Sequence, residues 1–126
     1  MNTPEDLVYT DEHEWIKRIE DSKVRLGITD YAQDQLGDVV YVELPEVGKE
    51  VAKDDLIAEI ESTKSVGEVY APFPGTISAV NEAAAASPEL VNSSPYGDGW
   101  LVEMEVSGEI AGDHLLDADA YRNLTE

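Results

Sequence analysis

The sequence predicts a mainly β domain with a short internal helix and a C-terminal helix. Three observations predict it. Several six- or seven-residue stretches alternate apolar and polar side chains, Gly and Pro stand between them, and the stretches 37–61 and 75–106 share one layout. Alternation sends every second side chain to the same face, as a strand with one buried face requires.

“KVRLGI” (23–28) sets Val24, Leu26 and Ile28 against Lys23 and Arg25. “TDYAQDQLG” follows, with Thr29 or Asp30 able to cap a helix of about two turns and Gly37 able to stop it. “VVYVEL” groups Val40, Val42 and Leu44. “LIAEIE” groups Leu56, Ala58 and Ile60 against Ile57, Glu59 and Glu61. “WLVEMEV” groups Val102, Met104 and Val106 against Leu101, Glu103 and Glu105. The alanines of “NEAAAASPEL” permit a helix, but Pro88 interrupts it, so a loop with at most one helical turn is expected. “AGDHLLDADAYRNL” predicts the C-terminal helix over about 113–124, with Asp113 as cap and Leu116, Ala120 and Leu124 on one stripe.

The stretches 37–61 and 75–106 each begin at a Gly, run through an apolar strand to Val42 or Val80, and cross a turn region. Each then meets a short apolar anchor (Val51, or Leu90–Val91) and ends in an alternating strand. Two such units cannot each bury a core alone. They would pair as a small sandwich or flattened barrel, a single domain over 1–126. The link between them, “ESTKS”, carries Lys64 among small polar neighbours. A lysine on such a turn keeps its amine in water, where a modifying enzyme can reach it. The plainer alternative is a solvated charge guarding a sheet edge.

The 28 Asp and Glu residues against 8 Lys and Arg give a formal net charge of −20. Such a surface repels phosphate backbones and anionic lipid, so nucleic-acid and membrane partners are not expected. A partner with a basic docking face would explain the acidity, and so would a high-salt cytoplasm that screens self-repulsion. The acids are spread along the whole chain, which favours the second. With no cysteine there is no disulfide, thiol nucleophile or cysteine-ligated metal. The beginning of the chain has neither basic nor apolar signal features, and a cytoplasmic protein is expected.

“YTDEHEW” gathers Asp11, Glu12, His13 and Glu14. His13 would serve as an acid–base group or a metal ligand, but His114 is the only other histidine and no paired-histidine spacing exists, so no metal site is expected. No phosphate-binding glycine loop, G-x-S-x-G elbow or calcium loop occurs, and no independent catalytic site is expected.

The stretches “YTDEHEW”, “LGITDYAQDQLGDVVYVELPEVG”, “ESTKS” and “VNSSPYGDGW”, in that order over about residues 7–106, resemble the glycine cleavage system H protein family. The resemblance implies a hybrid β barrel-sandwich of two quasi-symmetric halves with a C-terminal helix. It also implies that Lys64 carries (R)-lipoate in amide linkage. Thr63 and Ser65 flank that lysine, where biotin carriers usually show methionines and the lipoyl domains of 2-oxoacid dehydrogenases show Asp and Ala.

The implied function is a relay rather than catalysis. The carrier takes the aminomethyl group of glycine from a pyridoxal-phosphate glycine decarboxylase (P protein) to an aminomethyltransferase (T protein). It then presents its dithiol to dihydrolipoamide dehydrogenase (L protein), and a lipoylating enzyme loads it. The family parks the loaded arm in a cleft that excludes water. By position Glu14 and Glu68 match the acidic residues there, and Glu12 lies nearby. Against that stands a merely salt-tolerant acidic surface. Val66 and Gly67 stand where polar residues are common, and the Asn of “NEAAAASPEL” lacks the usual apolar successor, so the cleft lining is expected to differ. Two rivals keep the same residues: a donor of lipoate to other proteins, and an unmodified acidic scaffold.

Overall fold

The computed structural model describes residues 2–125. Its elements are β1 (Val8–Tyr9), β2 (Glu14–Glu20), β3 (Lys23–Ile28), α1 (Asp30–Leu36), β4 (Val39–Glu43), β5 (Glu50–Val51), β6 (Leu56–Ser62), β7 (Val66–Tyr70), β8 (Gly75–Val80), α2 (Glu82–Ala86), α3 (Leu90–Ser93), β9 (Val102–Val106) and α4 (Ala118–Thr125). The strands form a six-stranded sheet, β1-β2-β3-β9-β8-β5, and a three-stranded sheet, β4-β6-β7. Every pairing is antiparallel. Leu26, Ile77 and Met104 from one sheet and Val42, Ile60 and Val69 from the other share one buried core. This is the expected mainly β barrel-sandwich.

The duplicated layout has a structural counterpart. In each copy the first strand pairs with the last: Val42 opposes Ile60 in β4–β6, and Ile77 opposes Met104 in β8–β9. The anchors differ. Val51 leaves its own copy and pairs in β5 with Gly75 of β8, whereas Leu90 and Val91 are helical, in α3.

Two bulges correct the expected strand faces. The β4 register shifts between Val39 and Tyr41, so Val39 and Val42 are buried while Val40 is exposed. The β6 register shifts between Leu56 and Ala58, so Ile57 is buried with Ala58 and Ile60 while Leu56 turns outward. One extra residue reverses the facing on one side of it, which a period-two pattern cannot show. Leu101, expected outward, is buried just before β9, where its N–H donates to the Leu26 carbonyl.

Thr29 caps α1, its hydroxyl accepting the Ala32 N–H at 3.1 Å. The stretch around Pro88 forms two short helices, α2 and α3, rather than a loop. The C-terminal helix begins at Ala118, not near 113. Leu116 exchanges backbone hydrogen bonds with Tyr9, which holds it extended and outside the helix. Asp117 rather than Asp113 caps the helix, accepting the Ala120 N–H at 2.8 Å. Ala118 and Tyr121 face inward, while Leu124 is exposed. Tyr121 stacks on Tyr9 with ring centroids 4.7 Å apart, in a second cluster with Leu7 and Trp15.

Candidate functional site

Lys64 stands at the tip of the β6–β7 hairpin. The Ser62 hydroxyl organises that tip, accepting the Ser65 N–H at 3.0 Å and the Lys64 N–H at 3.3 Å and donating to the Ser65 carbonyl at 3.1 Å. A serine that binds its own turn in this way favours a tight reversal over strand continuation. The Thr63 N–H donates to the Asp38 carbonyl at 3.1 Å and ties the tip to the segment between α1 and β4.

The exposed Lys64 side chain lies over Gly37. A Cβ on Gly37 would sit 3.3 Å from the Lys64 Cε, and the backbone there has φ +82°. Glycine thus ends α1 in a conformation that other residues avoid and leaves room for the lysine stem. Among the described residues the Lys64 ammonium has no salt-bridge partner.

A cleft of about 360 Å3 opens between the 10–14 loop, α1 and β7; Glu12, His13, Tyr31, Leu36, Gly67 and Glu68 are among its lining residues. It adjoins the lysine through the chain: Leu36 precedes Gly37, and Gly67 follows Lys64 by three positions. Leu36 packs against Gly67 so closely that a Cβ there would meet its methyl groups at 3.2 Å.

Glu12 and Glu68 therefore line one cleft. Burial, then Asp54 and Asp11, raises the Glu12 pKa above the ordinary carboxylate value. Beside Glu68, the Tyr70 hydroxyl is pushed up by its hydrogen bond to that carboxylate. Glu14, expected in the same lining, lies elsewhere. It is 1% exposed. Its Oε2 accepts the Tyr70 N–H at 2.7 Å, and its Oε1 accepts the Thr10 hydroxyl at 3.2 Å. Burial is the main cause that pushes its pKa up to about 8, against the lowering effect of the Tyr70 bond. The physical reason for the different placement is His13, whose φ of +67° turns the chain before β2 begins.

His13 is the cleft residue that sequence reasoning assigned to other chemistry. Its Nδ1 is 2.8 Å from the Tyr121 hydroxyl, which lies 2.7 Å from the Thr29 hydroxyl. Its ring leans on Tyr31 at 4.9 Å. Burial lowers its pKa, with Asp11 opposing. No group of three or more His, Cys, Asp or Glu among the described residues is arranged to hold a metal ion. Gly67 was flagged as a departure in the cleft lining, whereas Tyr31 and Leu36 went unassigned. Their only signal was the one-turn spacing of Tyr31 with Gln35 and of Ala32 with Leu36 on α1.

The site thus joins an exposed amine to an adjacent cleft with an apolar floor and two carboxylates. Such a cleft suits an apolar chain ending in a cationic head, because a carboxylate forms charge-assisted hydrogen bonds with an ammonium.

Comparison with known proteins agrees with this geometry. A family model described as glycine cleavage H-protein matches residues 7–126. The glycine cleavage system H protein of Nocardia farcinica is 55% identical, over 97% of this chain and 96% of that protein. That of Salinibacter ruber is 47% identical, over 99% and 100% respectively. The crystal structure of a glycine cleavage system H protein from Mycobacterium marinum superposes with a TM-score of 0.86 at 42% identity, covering 95% of this chain and 96% of that one.

Proposed function

The chain belongs to the glycine cleavage H-protein family, and on that premise we propose that Lys64 carries lipoate in amide linkage. A family member is a lipoyl carrier of the glycine cleavage system and not itself a catalyst. The observation that carries the assignment to Lys64 is its position. It is the exposed lysine of a hairpin tip, with its stem over Gly37 and a cleft beside it. When attached, lipoate supplies the disulfide–dithiol couple on which the aminomethyl group of glycine travels.

The remaining work falls to the chain's own residues. The hairpin holds the lysine out from the sheet, so a docked enzyme meets the arm at high effective concentration. The cleft gives the arm a resting place. Leu36 and Gly67 offer apolar contact, Glu12 and Glu68 offer carboxylates to a cationic amine, and the walls exclude water that would hydrolyse it. Glu14 acts from behind by holding β7 in place. The partners of this cycle are glycine decarboxylase, aminomethyltransferase, dihydrolipoamide dehydrogenase and a lipoylating enzyme. We assign the cycle to the cytoplasm; no helix among the described residues is long and apolar enough to cross a membrane.

Intact-mass measurement on protein from a lipoylating host tests the assignment. One lipoyl adduct is expected on the wild type and none on Lys64→Arg. An unmodified wild type in a competent host, or an adduct that survives the substitution, would overturn it.

A further inference from the structure

We propose that the outer face of the three-stranded sheet, centred on Tyr41 and Val66, is the surface by which the lipoate-attaching enzyme selects Lys64. This inference rests on the carrier reading above and adds the recognition surface. The enzyme has a selection problem to solve. Lys17, Lys49 and Lys53 are also exposed. Exposure alone does not single out Lys64, so the distinction lies in what surrounds it.

Directly behind the hairpin tip, Tyr41 opposes Glu61 and Glu61 opposes Val66, forming one outward row across β4, β6 and β7. Tyr41 is 50% exposed, Val66 53%, and Val40, turned out by the bulge, 55%. Strand spacing puts Tyr41 and Val66 roughly 10 Å apart across Glu61. Apolar side chains this exposed and this close together mark contact surfaces. The next outward row is wholly acidic: Glu43 opposes Glu59, and Glu59 opposes Glu68. The patch therefore sets two exposed apolar side chains on either side of Glu61, with a wholly acidic row along its border. It fits a partner with an apolar face rimmed by Lys or Arg, whose charges also steer the encounter.

The chemistry identifies which partner. Enzymes that act on the far end of the arm work an arm's length from the hairpin. The attaching enzyme alone must bring a carbonyl carbon to the lysine nitrogen itself, and so must touch the residues flanking Lys64. Its reaction is acyl transfer without redox change. The ammonium loses a proton, and the amine attacks an activated lipoyl donor, either an acyl adenylate or a thioester. The C–N bond forms, the acyl–O or acyl–S bond breaks, and AMP or thiol leaves as the nitrogen sheds a second proton.

The test uses the full chain with a purified ATP-dependent lipoate-attaching enzyme, lipoate and ATP, following adduct formation by intact mass. Tyr41→Ser/Val66→Ser is expected to lower kcat/KM at least tenfold. Leu124→Ser, an equally exposed apolar position on α4, is expected to match the wild type. Glu43→Gln/Glu59→Gln is expected to lower kcat/KM and to flatten its dependence on salt; this pair decides the matter if the first double variant does not fold. Labelling of Lys64 by a small acylating reagent should stay at the wild-type rate in every folded variant. Equal kcat/KM in variants and wild type, with the wild type lipoylated, would overturn the surface and leave the carrier reading intact. A wild type that takes no lipoyl group would overturn the carrier reading itself.

Discussion

The Glu14 carboxyl group accepts the backbone N–H of Tyr70 at 2.7 Å, tying the lysine hairpin's second strand to the first residue of β2. The two residues belong to different sheets, so this bond fixes the back of the cleft from across the barrel.

Stability should record the protonation of that carboxyl. Burial raises the Glu14 pKa from 4.5 to about 8 in the folded chain. The contribution of the protonated acid is fully present below 4.5 and is lost as pH rises through about 8. Glu14→Gln cannot ionise. Urea denaturation across this window should show the wild type losing stability relative to Glu14→Gln with rising pH, by up to about 1.4 kcal/mol per pH unit. Parallel pH profiles would exclude the buried titration.

Once Lys64 is fully lipoylated, Glu68→Ala and Glu12→Gln should shorten the lifetime of the loaded aminomethyl group several-fold. Ammonia release from the loaded carrier alone, without partner enzymes, measures this. Lifetimes equal to the wild type would remove both residues from the cleft's role.

Gly37→Ala should destabilise the fold by about 1–3 kcal/mol, because alanine is strained at a positive φ of this kind. The added Cβ would press on the Lys64 stem, 3.3 Å away in the present arrangement. Thermal unfolding reads the first effect, and the mobility of a lysine-attached spin label reads the second.

Tyr121→Phe deletes the hydroxyl between His13 and Thr29. Buried polar groups left without a partner cost about 1–3 kcal/mol, so the variant should unfold at lower urea concentration. NMR titration should also find the His13 imidazole altered, since its Nδ1 loses its partner. A stability equal to that of the wild type would show the bridge to be unimportant.

The acidic row Glu43–Glu59–Glu68 sets like charges directly opposite one another across β4, β6 and β7. Such pairs repel, and salt screens them. Glu59→Gln should therefore raise the melting temperature more at low salt than at high salt. The wild type itself should melt lower as salt is withdrawn, as the reading of the acidity as salt adaptation expects. A melting temperature indifferent to salt would remove that explanation of the −20 charge.

The strands, the cap at Thr29 and the lysine turn were legible in the sequence because each is a local pattern. Ser62 and Ser65 advertised a turn, and alternation advertised the sheets. The exceptions depend on distant partners or single dihedral angles. The bulges at Val40 and Ile57 leave composition unchanged while reversing a face. Leu116 fits a helical stripe, yet Tyr9 holds it in a bridge. Glu12 and Glu14 look equivalent in “DEHEW”; the left-handed turn at His13 sends one to the cleft and the other beneath it. His13 itself suggested acid–base chemistry, but its hydrogen bond to Tyr121 forms only when the end of the chain folds back.

The exchange of β5 into the sheet of the second copy has one more consequence. Val51 pairs with Gly75, and β6 with β7, so two ladders join residues before the hairpin tip to residues after it. β3 and β9 add a third. A protease that nicks the chain at Lys64 would cut the covalent thread without parting the pieces. Two peptides divided there should find each other and rebuild the domain, whereas neither alone possesses a complete sheet. The exposed hairpin tip at Lys64 is thus also a point where the fold can survive a break.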